Sequence, residues 1–335
     1  MASLVVNVGA MRHNLKLIRQ ACEEAGAECL FVFKEAGLRP ELVRCLLEDE
    51  IVPGIGVNCF GRIPAVPSGV KVHQIYLVGD DRLSDAARAD VVYQTGLRSI
   101  RGLAEAAKAR GVRPEVMLMV EMGDGRDGVE PDALLPIAAE VVRHDSLRLR
   151  GLATNFACVG TEEPTVEALR KMVECRDLLE RDLGHPVPEL SVGGSDVLEL
   201  AGTTRLPAGI TEIRCGTAVH LGIYPLSGKP VPGASRRAAF LRGQVLECRL
   251  KGGRRRAVLD FGVLHTEPER LYPELPGMVL QGASSGYSIY DVTDCPVLIE
   301  DGMTCTFGLH FSSFSRSLAA VAELPLELLR EENDG

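Results

Sequence analysis

Lys34 follows directly on the apolar run Cys29-Leu30-Phe31-Val32-Phe33. An amine at the C-terminal end of a buried strand is placed to form a Schiff base with a carbonyl compound. Desolvation disfavours the charged form of an amine, and the neutral form is the nucleophile and proton carrier. Taken alone, Lys34 reads more readily as a surface lysine opening a loop. Three further segments, each at the end of an expected strand, shift the balance toward chemistry.

The first is Gly123-Asp124-Gly125-Arg126-Asp127-Gly128. Its glycines permit tight backbone geometry, and Arg126 offers a planar fork suited to a carboxylate. The second is Ser191-Val192-Gly193-Gly194-Ser195-Asp196, where a strand gives way to a helix. A Gly/Ser loop there can cradle a phosphate with backbone N–H groups and a hydroxyl, although Ser195 or Asp196 could equally cap the helix. The third is Arg214-Cys215-Gly216-Thr217, in which a buried arginine would need an acceptor. A lysine and a phosphate cradle at the ends of parallel strands together point to pyridoxal 5'-phosphate.

The elements that must position these groups follow from apolar periodicity. Eight short apolar runs are bounded by turn residues: Cys29–Phe33, Ile51–Val57, Gln74–Val78, Ala89–Tyr93, Val116–Met122, Leu147–Thr154, Glu189–Val192 and Glu212–Cys215. Helical patterns separate most of them. Leu169, Met172, Val173, Leu179 and Leu183 share a face of a helix, and Arg98 to Arg110 reads as another. Strands alternating with helices imply parallel pairing, and eight units imply an α/β fold, a (β/α)8 TIM-type barrel, over residues 6–228. A doubly wound sheet is disfavoured because no G-x-G-x-x-G follows the first strand. After the turn-rich stretch Pro225–Gly233 come strand-like runs at Gly243–Leu250, Ala257–Phe261, Met278–Gln281, Ser288–Val292 and Met303–Leu309. They predict a smaller all-β domain over residues 229–335, with or without 1–5; Leu4–Val8 could add a strand. Helical signals are nearly absent until the acidic tail, Leu326–Gly335.

Composition narrows the partners. A formal net charge of -9 argues against nucleic acid and anionic membrane. No apolar run is long enough to span a bilayer, and no secretory leader is evident. Ten cysteines show no C-x-x-C pair and no zinc spacing, so no metal site is expected. Those in apolar runs (Cys29, Cys215, Cys305) read as small core hydrophobes of a cytoplasmic protein.

The order of these motifs resembles the alanine racemase-like (fold type III) pyridoxal-phosphate enzymes, in particular the alanine/ornithine racemase branch. Met117–Val129 resembles that branch's M-V-D-L-G-D-L-R-E-G, and Thr154-Asn155-Phe156-Ala157-Cys158 its T-N-L-A-C. Ser191 to Ser195 is similar to S-G-G-N-S, Ile213-Arg214-Cys215-Gly216 to L-R-I-G, and Gly282-Ala283-Ser284-Ser285 to G-A-S-S. The resemblance implies a homodimer whose β-domains contribute to the partner's active site. It makes Lys34 the Schiff-base lysine and a base on one face of the substrate, and Arg214 the donor to the pyridine nitrogen. It assigns Ser191, Ser195, Gly216 and Thr217 to the cofactor and its phosphate. It implies Asn155 near the ring, Arg126 near the second catalytic group or the substrate carboxylate, and Ser285 near the substrate.

There are departures. The family's S-G-G-N-S reads Ser191-Val192-Gly193-Gly194-Ser195 here. In alanine racemases a tyrosine follows the glycine corresponding to Gly262 and serves as the second base; here that residue is Val263, which cannot transfer a proton. His265 and Tyr287 are the nearest titratable replacements, with an ordinary loop residue as the plainer reading of each. Cys158 is a third candidate, with a core thiol as the plainer reading. Three functions follow: an amino-acid racemase of ornithine, lysine or alanine type; a lyase, aldolase or decarboxylase using the same cofactor; or a non-catalytic cofactor-binding protein.

Overall fold

The computed structural model describes residues 1–48, 52–58, 65–156, 158–159 and 162–330. Strand β1 (Ser3–Asn7) leads into helix α1 (Val8–Glu24), where Asn7 Oδ1 accepts the Ala10 N–H at 3.0 Å and so satisfies an orphan donor of the first turn. There follow β2 (Glu28–Val32), α2 (Pro40–Leu47), β3 (Gly54–Val57), β4 (Lys71–Gln74), α3 (Leu83–Ala86), β5 (Val91–Gln94) and α4 (Leu97–Arg110). Next come β6 (Glu115–Met119), α5 (Leu134–Arg143), β7 (Arg148–Thr154), α6 (Val166–Leu183), β8 (Glu189–Gly193), α7 (Asp196–Ala201), β9 (Glu212–Cys215) and α8 (Thr217–Leu221). Strands β2 to β9 pair in chain order and close into a parallel barrel, with Leu30 of β2 opposite Arg214 of β9. This is the expected barrel.

Two compact units divide the chain. The barrel unit comprises Leu15–Val219 and Tyr224–Val231. Its interior holds Val91, Tyr93, Met117, Met119 and Ala153 in one fully buried cluster, each large side chain contributing about 1.5–3 kcal/mol by burial. At the N-terminal ends of the strands, Glu115 pairs with Lys71 at 3.2 Å and with Arg148 and Arg150. Burial alone would raise the Glu115 carboxyl, but Arg150 and Lys71 outweigh it and hold the group below its ordinary value. In such barrels this end serves stability and the other serves chemistry.

The third barrel strand differs from expectation, running Lys71–Gln74 instead of Gln74–Val78. Pairing explains the offset: β3 has four residues, Gly54 to Val57, and their partners are Lys71 to Gln74. The apolar residues Tyr76-Leu77-Val78 therefore pass beyond the strand into the loop that follows. Ile51, expected to begin the second strand, lies outside the described residues.

The other unit comprises Met1–Asn14, His220–Ile223 and the chain from Pro232 on, so it takes in more of the N-terminus than residues 1–5. It contains β10 (Ala239–Lys251), β11 (Arg254–Leu259), β12 (Leu271–Pro273), β13 (Val279–Ala283), β14 (Ser288–Asp291), β15 (Thr304–Leu309), α9 (Phe311–Ala319) and β16 (Leu326–Leu329). Their sheet runs β12-β15-β10-β11-β14-β13, and β1 pairs antiparallel with β10 and parallel with β16. Two expectations fail here. The segment Leu326–Leu329 is a strand and not a helix, because Leu4 to Asn7 offer it a paired edge. A helix also occurs where none was expected, at Phe311–Ala319, its N-terminus capped by His310, which accepts from the Ser312 N–H. Phe314 and Leu318 are its buried anchors. No helix among the described residues is long and apolar enough to cross a membrane.

Candidate active site

The residues expected to form the site in this unit lie in or beyond the C-terminal halves of the barrel strands, most of them in the loops that follow. Lys34 stands two residues beyond β2, Asn155 one beyond β7, Ser195 two beyond β8, and Gly216 and Thr217 directly after β9. Ser191 and Arg214 lie within β8 and β9.

Arg214 organises the arrangement. Its side chain is only 4% exposed. Nη1 donates to Ser191 Oγ at 2.6 Å, and Nη2 donates to Asn155 Oδ1 at 2.7 Å and to the Thr154 carbonyl. These bonds use three of the five guanidinium N–H groups. Among the described residues, Nε–H and the second Nη1–H have no hydrogen-bond partner. Ser191 Oγ in turn donates a hydrogen bond to Glu212 Oε1, which also accepts from the Tyr93 hydroxyl at 3.4 Å. Burial, with Glu212 beside it, pushes the Tyr93 phenol upward, so it stays protonated and donating. The guanidinium lies 5.4 Å from the centre of the Tyr93 ring, a cation–π contact. A buried cation is thus matched by a buried carboxylate two residues earlier on the same face of β9, through one serine.

Two glycines are required by this packing. A Cβ on Gly193 would lie 2.6 Å from both Arg214 Nη2 and Asn155 Oδ1. Gly128 has φ +142, and a Cβ there would lie 2.6 Å from the Glu121 nitrogen. That second close approach folds the Gly123–Gly128 loop back, with Glu121 N donating to the Val129 carbonyl at 3.0 Å. Asp124, 2% exposed, accepts from the backbone N–H of Cys158 at 2.7 Å and of Val159 at 3.3 Å, joining the loops after β6 and β7. Arg126 is held by Asp127 at 3.1 Å and Asp124 at 3.8 Å. Cys158 is exposed, so the core-thiol reading is wrong for it; its neighbour Ala157 lies outside the described residues.

Lys34 Nζ lies 5.6 Å from the centre of the Tyr76 ring, and the Arg126 guanidinium lies 6.0 Å from the same ring. Tyr76 therefore spaces the two cations, a role hidden while it read as part of a strand. The buried Gln74 fixes this side of the rim, donating to the Asn58 carbonyl at 3.1 Å and the Tyr76 carbonyl at 2.9 Å. Ser195 does not cap α7. Its Oγ accepts the Ala218 N–H at 3.2 Å, tying the loop after β8 to the start of α8.

His265, Tyr287 and Ser285 belong to the other unit, where the structure brings their loops together. Val263 N donates to the Ser284 carbonyl at 2.9 Å, Leu264 N to the Ser285 carbonyl at 3.1 Å, and Ser284 N to the Tyr287 carbonyl at 2.8 Å. His265 Nδ1 accepts the Gly262 N–H at 3.1 Å, which in the neutral ring assigns the proton to Nε2. Tyr287 is 53% exposed.

Sequence reasoning missed Glu212, Tyr76, Gln74 and Asp124. The i, i+2 spacing of Glu212 and Arg214 on one strand was an available signal.

Comparison with known proteins bears on all of this. The family described as "Alanine racemase, N-terminal domain" matches residues 6–225. Ornithine racemase of Acetoanaerobium sticklandii is 23% identical over 343 residues, covering 95% of this chain and 97% of that one. Alanine racemase from Streptomyces coelicolor A3(2) has the same fold, with a TM-score of 0.73 at 16% identity over 98% of each chain. D-threonine aldolase from Filomicrobium marinum also scores 0.73, at 18% identity over 95% of this chain and 89% of that one.

Proposed function

This chain belongs to the alanine racemase family, and from that premise we propose that it is a pyridoxal-phosphate-dependent racemase of a free amino acid of the ornithine, lysine or alanine type. The observation that carries the reading is Arg214, buried and triply bonded on the strand beside the one that carries Lys34, with donor capacity left over. The donor set suits the cofactor. Nothing lies within 4 Å of a Cβ built on Gly194, which leaves open space beside Ser195. Lys34 supplies an amine, and Arg214 a cation that stays charged.

Bound here, pyridoxal phosphate supplies the electron sink that stabilises charge at Cα once its proton departs. Lys34 would hold the cofactor at its aldehyde carbon and move the proton at Cα on one face. Arg214 would hold the cofactor at its pyridine nitrogen, and a cation that keeps its own proton there would limit the electron sink and favour return of a proton to Cα. Glu212, through Ser191, keeps Arg214 oriented and charge-balanced. Ser191 and Asn155 line the ring, and Ser195, Gly216 and Thr217 hold the phosphate. Arg126 would receive the substrate carboxylate, and Ser285 would meet the substrate only across a homodimer interface. His265, with Tyr287 beside its loop, serves the opposite face across a homodimer interface.

The chain's relatedness to ornithine racemase over nearly its whole length favours racemization, and ornithine is the first substrate to try. A lyase reading draws on Val263, which removes the expected tyrosine. Incubating the cofactor-loaded protein with L-ornithine, L-lysine and L-alanine and resolving the products on a chiral column tests the proposal. The D-enantiomer of one of them should accumulate to equimolarity; cleavage or decarboxylation products without inversion would refute it.

A further inference from the structure

Three cysteines scattered in sequence converge in the barrel unit: Cys22 on α1, Cys29 on β2 and Cys215 on β9. All are buried, and their Sγ atoms lie within 4.8 Å of one another, the one such donor cluster among the described residues. Register explains the meeting. Leu30 lies opposite Arg214, whose side chain points into the barrel, so Cys29 and Cys215, one residue off, face outward toward the helices. A triangle with edges of at most 4.8 Å leaves a point within about 2.8 Å of all three sulfurs, against about 2.3 Å for a zinc–thiolate bond. A small inward movement of the side chains would let one ion bind all three.

Charge decides which ion. Three thiolates around a monovalent, divalent or trivalent centre leave two, one or no negative charges. An uncompensated charge in a buried site is costly. Zinc, moreover, takes four ligands in structural sites, and this cluster offers three. We infer that Cys22, Cys29 and Cys215 form a three-thiol site for trivalent arsenic, taken up as arsenite. The reaction balances without an oxidant: three S–H protons pass to the three arsenic hydroxyls, three As–O bonds break, three As–S bonds form and three waters leave. The product is neutral. Cys29 also lines a cavity of about 340 Å³ with Arg19, Glu23 and Glu28, an approach for a small hydroxide. The bound ion would lie behind the two strands whose ends carry Lys34 and Arg214.

The test uses the cofactor-loaded full chain and sodium arsenite. Native mass spectrometry should show one arsenic per chain, with three hydrogens lost. Arsenic-edge X-ray absorption should show three sulfur neighbours and no oxygen. Cys22→Ala and Cys215→Ala should each weaken retention at least as much as the roughly 10–100-fold that losing a mere supporting group costs a metal site, while Cys305→Ala should bind like the parent. Should the buried variants fail to fold, X-ray absorption on the parent protein decides alone. No retained arsenic, two sulfurs with one oxygen, or one zinc or cuprous ion bound in preference to arsenite would each overturn the assignment.

Discussion

Replacing Gly193 by alanine tests whether Arg214 and Asn155 are held as rigidly as the hydrogen bonds imply. The added Cβ would sit 2.6 Å from both Arg214 Nη2 and Asn155 Oδ1. Reaching ordinary contact, about 3.4 Å, requires these atoms to retreat by about 0.8 Å. Arg214 cannot do so cheaply, because the same Nη2 also donates to Thr154 and its neighbour Nη1 to Ser191. Overpacking costs about 1–3 kcal/mol, and losing a charged hydrogen bond about 1.5–3 kcal/mol. If about 2–3 kcal/mol of this falls on the transition state, turnover drops roughly 30–200-fold. Steady-state racemization, urea unfolding and the absorbance of bound cofactor should be measured on one preparation. Stability should fall by about 1–3 kcal/mol, and cofactor affinity should fall with activity. A Gly193→Ala protein within twofold of the parent in all three would refute the claim that Arg214 is fixed.

Lys34→Ala should eliminate the absorbance of lysine-bound cofactor and lower turnover by at least the roughly 10²–10⁴-fold a positioned general base supplies; borohydride reduction of the parent should mark Lys34 in a peptide map. His265→Gln should suppress inversion by a similar factor while leaving α-proton exchange on the Lys34 face, with Tyr287→Phe the milder of the two; equal exchange and inversion in His265→Gln would remove it from the mechanism. Burial first, then Arg150 and Lys71, lower His73 from 6.5 to about 3 in the folded chain. The unfolded state therefore binds the proton first, and stability is complete above about pH 6.5 and lost as pH falls toward about 3, by up to about 1.4 kcal/mol per pH unit. Urea midpoints followed over that range should slope in the parent and slope less in His73→Gln, the lowered Glu115 carboxyl keeping part of the slope.

Much of the barrel was legible because strands buried on both faces read as largely apolar runs, as Cys29–Val32 and Val116–Met119 do. That same uniformity hid the third strand's end: Tyr76-Leu77-Val78 is as apolar as a strand, and only pairing with the short β3 stops β4 at Gln74. In the other unit, the serines of Phe311–Ala319 weaken its helical signal, although Phe314 and Leu318 keep the spacing of a buried face. Leu326–Leu329 could not be assigned locally, because its partner Leu4–Asn7 lies at the far end of the chain. Lys34, Arg214 and Ser195 were visible as residue types at strand ends. Tyr76, Gln74 and Asp124 act by bridging loops, and the three sulfurs meet only once β2 closes on β9, relations that no local pattern records.

The measurement closest to the central claim is α-proton exchange in D2O with the cofactor-loaded protein and each enantiomer of ornithine, lysine and alanine, reading deuterium content and chirality together. Racemization through Lys34 and a group on the opposite face predicts deuterium at Cα in both enantiomers of one amino acid, whichever enantiomer is supplied. Exchange with full retention, or no exchange although the cofactor is bound to Lys34, would contradict it.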